Sequence, residues 1–78
     1  MASQNQRMMD AFERARADIA SLADWFECEL GKYDGQEITW TTVGSLEHVR
    51  QRLLETLAEF SGFPQADIES SLDEMRSA

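Results

Sequence analysis

Apolar residues recur at Met8, Phe12, Ala15, Ile19, Leu22, Phe26 and Leu30, with mostly polar residues between them. Steps of three and four place them on one stripe of a helix, close to a heptad seam. Alanines at 11, 15, 17, 20 and 23 add helix propensity. Ser3 and Gln6 have capping-box spacing, and Asp10 stands four residues before Arg14, the favourable order for an ion pair on a helix. Gly31 is a suitable stop. The pattern predicts a long first helix.

A second reading competes for its C-terminal part. Asp24, Glu27 and Glu29 would crowd the end of the helix where the macrodipole prefers cations. Residues 26–30 also alternate as a strand does, and residues 37–43 are rich in β-branched and aromatic side chains. Tyr33-Asp34-Gly35 suits a three-residue loop with Gly35 in the left-handed position. That register sets Leu30 beside Ile38 and Cys28 beside Trp40. A β-hairpin over about residues 25–43 would also remove an unusually long structureless connection. Helix and hairpin both stay open at this point.

The next segment is clearer. Ser45 is a good N-cap with Glu47 in the first turn, and Leu46, Val49, Leu53, Leu57 and Phe60 form a stripe broadened by Leu54. Gly62 ends this helix, Phe63 is placed to fold back on its last turn, and Pro64 opens a short final helix. Ile68, Leu72 and Met75 are that helix's inward face, Asp67 and Glu69 sit in its first turn, and Ser77 and Ala78 are expected to fray. The expected fold is mostly α: one three-helix domain over residues 1–78, with long, medium and short helices. An extended segment or hairpin joins the first two, and the α+β form with a hairpin at about 25–43 is the alternative. The stripes must bury against one another or against a second subunit.

Composition narrows the sources of stability. A chain of 78 residues buries a thin core. Cys28 is the sole cysteine, so no internal disulfide forms, and Cys28 and His48 are too few for a structural zinc site. A homodimer is the expected remedy, against a compact monomer. No apolar run reaches membrane-spanning length, and the polar N-terminus lacks a signal peptide's apolar stretch. With a lone thiol, this points to the cytoplasm. The net charge of -8 disfavours direct binding to nucleic acid or an anionic membrane, and favours basic partners.

Candidate chemistry is sparse. His48 stands near Glu47 without a nucleophile motif, and reads as an ordinary surface histidine. Cys28 lies between Glu27 and Glu29, which oppose thiolate formation. The carboxylates lack EF-hand spacing. No catalytic residue, cofactor or metal is expected, and the chain reads as a non-enzyme. The distribution of charge is more telling. Residues 1–23 are neutral, 24–37 carry -4, 38–66 carry -1 and 67–78 carry -3. Trp25, Tyr33 and Trp40 are interleaved with the central acids. Aromatic anchors ringed by charge resemble interface hot spots. The expected partner-binding residues are therefore Asp24, Glu27, Glu29, Tyr33, Asp34, Glu37 and Trp40, facing an Arg- or Lys-rich protein. The alternative makes both tryptophans core and the acids merely solvated.

Residues 49–64, a helix followed by Gly62-Phe63-Pro64, resemble the first helix and turn of acyl carrier protein domains. That family carries its phosphopantetheine on the serine of an Asp-Ser-Leu. Ser70 and Ser71, in Glu69-Ser70-Ser71-Leu72, do not match it, so carrier function is rejected. Gly62-Phe63-Pro64 before a helix is also similar to ubiquitin-associated domains, whose third helix has no counterpart in these residues. The expected function is a protein–protein interaction module, regulatory or inhibitory. Small acidic phage-type inhibitors of nucleic-acid-binding proteins, anti-CRISPR proteins among them, share its size and charge. A structural subunit of a larger assembly is a further alternative.

Overall fold

Local helix signals decide most of the chain. The computed structural model describes residues 2–77, with side chains from Gln4 onward. Three helices fall within them: α1 (Ala2–Gly31), α2 (Trp40–Ser61) and α3 (Gln65–Ser77). No strand occurs among the described residues, so the hairpin at 25–43, and with it the α+β alternative, is overturned. Residues 25–31 complete α1, residues 32–36 turn, and residues 37–39 link to α2 without regular structure, Thr39 in extended backbone.

The helix wins at residues 24–31 because its last turns find local partners. Glu29 accepts from Lys32 Nζ at 2.7 Å and from Trp25 Nε1 at 3.1 Å, on the helical three- and four-residue spacings. The end then tightens: the N–H groups of Lys32, Tyr33 and Asp34 donate to the carbonyls of Glu29, Leu30 and Gly31. Gly35 adopts φ 79° in this turn, so the left-handed position read at Gly35 is real, although it reverses a helix end and not a hairpin. Elsewhere on α1, Asp10 accepts from Gln6 at 2.8 Å, where spacing set it against Arg14. The capping box read at Ser3 falls on a side chain outside the described ones, as does the fraying of Ala78.

α2 begins earlier than Ser45. Thr39 is its N-cap, in extended backbone with its hydroxyl accepting from Thr42 N–H at 3.3 Å, while Thr42 Oγ1 receives the Thr39 N–H in return. This reciprocal cap carries Trp40-Thr41-Thr42-Val43 into the helix despite their β propensity. Gly44 and Ser45 are then interior, and His48 is well beyond the first turn. At the other end Gly62 has φ 83° and its N–H donates to the Ala58 carbonyl at 2.9 Å, the expected left-handed stop. Phe63 does not fold back: it is exposed, and its N–H donates to Ser61 Oγ. Pro64 precedes α3 and its carbonyl accepts from Asp67 and Ile68 N–H. Ser77 is still helical.

Contacts divide the chain into two units, residues 1–37 and 38–78. The first contains α1 and its closing turn. The second pairs α2 with α3 through a small apolar centre. Leu54, 5 % exposed, is the buried hydrophobic residue there, with Val43, Leu46, Ala58, Ile68 and Leu72 half-buried. At its margin Arg50 pairs with Glu69 at 2.8 Å, and Gln51 donates to Gln65 at 3.3 Å. The α2 stripe is thus displaced from the expected one. Val49, Leu53, Leu57 and Phe60 are exposed, as is Met75 on α3. A 13-residue α3 covers one face of α2 and leaves the next one open.

Leu54→Ala should destabilise the α2–α3 unit by about 2–3 kcal/mol, because the cavity opens at its one sealed point. Phe60→Ala, at a position 82 % exposed, should cost less than about 1 kcal/mol. Urea unfolding followed by circular dichroism distinguishes the two.

Candidate protein-binding face on α1

The face is built by the heptad-like stripe. Met8, Phe12, Ile19, Leu22, Phe26 and Leu30 are all exposed on α1, joined by Met9 and by Trp25, itself 65 % exposed. The unit of residues 1–37 holds one helix and a turn, so it offers this stripe no second helix to pack against. One flank of the stripe is polar and knit locally. Arg16 pairs with Glu13 at 2.8 Å and its guanidinium lies 5.2 Å from the centre of the Phe12 ring, a cation–π contact at the edge of the stripe.

Toward the C-terminal end the stripe widens into a shallow depression of about 300 Å³, lined by Leu22, Trp25, Phe26 and Glu29. Trp25 and Glu29 are one turn apart and hydrogen-bonded, so the indole edge is held against a carboxylate that also grips Lys32. The Lys32 ammonium and the indole N–H hold the Glu29 carboxyl below the usual carboxylate range. Glu29 in turn raises the Lys32 ammonium. These groups are solvated, so the pair orients side chains more than it stabilises the fold.

Of the residues expected to bind a partner, Asp24, Glu27 and Glu29 lie on the last two turns of α1. Tyr33, half-buried, and Asp34 lie in the closing turn, and Glu37 follows in the link to α2. These six share one unit. Trp40 belongs to the other unit, where it opens α2 at 87 % exposure. Neither tryptophan is core, which overturns the alternative that buried both. Sequence reasoning named Trp25 among the aromatic anchors but left it, with Leu22 and Phe26, out of the expected partner-binding residues. Their signal was the seam itself, which the sequence left open between burial against the other helices and burial against a second subunit.

Little else invites chemistry. His48 and Cys28 are both exposed. Among the described residues no three of His, Cys, Asp and Glu converge as metal ligands, and no helix is long and apolar enough to cross a membrane. The chain matches no family model, no curated protein and no solved structure.

The Glu29–Lys32 pair predicts a defined pH response at the end of α1. Glu29 has a depressed folded pKa, so its contribution is present above about pH 4.3 and is lost as pH falls through the lower folded value. The Lys32 contribution has the opposite sense: it is complete below about pH 10.4 and disappears above the raised folded value. A carboxyl NMR titration should find Glu29 below the usual glutamate range, and Lys32→Met should move it back toward the ordinary value.

Proposed function

We propose that this chain is a non-enzymatic protein-interaction module that binds through α1. The observation that carries the reading is the exposure of the whole α1 stripe from Met8 to Leu30, with three aromatic rings among its members. Monomeric soluble proteins seldom present so long an apolar surface unless something docks there. Beside its C-terminal end stand Asp24, Glu27, Glu29, Asp34 and Glu37, opposed only by Lys32. The apolar face offers the burial an interface needs, and the carboxylates near its end suit a basic partner, pairing with its Arg or Lys and setting its orientation. Trp40 is an exposed aromatic of the same chain and serves the same class of contact from the second unit. A regulatory or inhibitory role fits a binder with no chemistry of its own, and the single exposed thiol fits a reducing cytoplasm.

A second reading, a structural subunit of a larger assembly, draws on the same exposed stripe without needing the acids. Charge reversal separates the two. In low salt, Asp24→Lys, Glu27→Lys and Asp34→Lys combined should weaken capture of a labelled Lys/Arg-rich peptide about tenfold or more. Retained capture would remove the acidic rim from the function and leave the structural reading standing.

A further inference from the structure

We infer that the apolar stripe of α1 is self-complementary, and that a second copy of the chain covers it as an antiparallel two-helix coiled coil. This rests on the reading of α1 as a protein-binding face and names the occupant of that face.

The spacing comes first. From Met8 to Phe26 the steps are four, three, four, three and four, so Phe12, Ile19 and Phe26 take the a positions and Met8, Ala15 and Leu22 take the d positions. That seam runs about 27 Å along a helix that is continuous from Ala2 to Gly31. A helix that keeps heptad register over this length pairs best with another that keeps it. The exposed line on α2, Val49, Leu53, Leu57 and Phe60, steps by four, four and three, and leaves the register after two turns. A second α1 has the matching repeat.

Size and charge then fix the direction. In an antiparallel pair each a position faces a d position. Centring the dyad on Ala17 sets Phe12 against Leu22, Ile19 against Ala15 and Phe26 against Met8 of the second copy. Each layer then joins unlike sizes, and the flanks follow suit: Trp25 lies over Ala11, and Met9 beside Ala23. A parallel pair would stack Ala15 on Ala15 and Phe12 on Phe12, leaving a gap beside a crowded layer. Charge agrees. Residues 4–16 hold Arg7, Arg14 and Arg16 against Asp10 and Glu13, a net of +1, whereas residues 18–30 hold Asp18, Asp24, Glu27 and Glu29 with no base, a net of -4. Antiparallel pairing brings each positive half to the other's negative half and also opposes the helix dipoles. Parallel pairing brings the two acidic halves together. The cost falls at the dyad, where Arg16 meets its copy and Asp18 meets its own. Arg16 is already neutralised by Glu13 at 2.8 Å.

The area is sufficient. Seven large side chains on the face, each 41–65 % exposed, offer on the order of 700 Å² per copy, near the ~800 Å² of a standard interface. Asp24 and Glu27 fall on the outer f and b positions and stay available to a basic partner.

The full chain tests this directly. Light scattering in reducing buffer should give the mass of two 8.9 kDa chains. Ile19→Asp should weaken the dimer at least about a hundredfold. In a Cys28→Ser background, Met8→Cys and Phe26→Cys chains should form little disulfide when oxidised separately and a mixed disulfide when combined. A single-chain mass for the unmodified protein overturns the dimer, whether its own α2 or a different protein covers the face. Strong self-crosslinking of either cysteine variant overturns the antiparallel direction. Neither result touches peptide capture by the outer acids, so failure of the dimer and failure of the binding function are read separately.

Discussion

An amphipathic helix cannot bury its apolar face against itself. α1 meets this constraint in its plainest form: thirty residues of continuous helix, with large side chains along one side, in a unit that contains no other helix. Isolated helices draw little stability from propensity, and most of what holds a helix in water is the packing of its apolar side. The exposed stripe from Met8 to Leu30 is therefore unspent driving force. It makes a covering surface the central requirement of this half of the chain, and it turns the question of function into one of what supplies that surface.

The second unit resolves the same constraint locally. The three-residue link 62–64 brings α3 onto α2, and the two shield Leu54 with half-buried Leu46, Ala58, Ile68 and Leu72. The Gly62 stop makes this arrangement reachable, since its φ of 83° is unfavourable for residues with a Cβ. The Arg50–Glu69 pair sits at the margin of the contact. Its two side chains are each more than two-fifths exposed, so the pair adds orientation more than energy.

Much of this was legible in the residues. The α1 stripe, the Gly62 stop, the left-handed Gly35 and the short final helix were each written in local spacing and turn chemistry. The errors have a common physical origin, which is that reciprocal side-chain bonds outweighed propensity. Residues 40–43 look like a strand by composition, yet the Thr39–Thr42 box gives the backbone a helical start that no β partner competes with. Residues 26–30 alternate, yet Glu29 finds Trp25 and Lys32 at helical spacing. The expected partner-binding residues were read from charge density and interleaved aromatics, and six of the seven do fall in one unit. Leu22 and Phe26 stayed undecided between core and subunit seam because an apolar stripe carries no mark that distinguishes the two.

The placement of those acids carries a further implication. Asp24, Glu27 and Glu29 occupy the end of α1 where the dipole disfavours negative charge, and the last turn holds no base. Lys32, just beyond the helix, relieves Glu29 alone. A sequence tuned only for the stability of this helix would put lysine or arginine there and move acids toward the first turn, which contains none. Local rules are usually broken where something other than stability is at stake. Of the three, Glu29 also lines the widest part of the apolar face, with Leu22, Trp25 and Phe26, while Asp24 and Glu27 lie toward the outer side of the helix. A carboxylate there raises the cost of random hydrophobic association at that surface. The charge at the disfavoured helix end and the charge at the apolar surface thus meet in one side chain, Glu29.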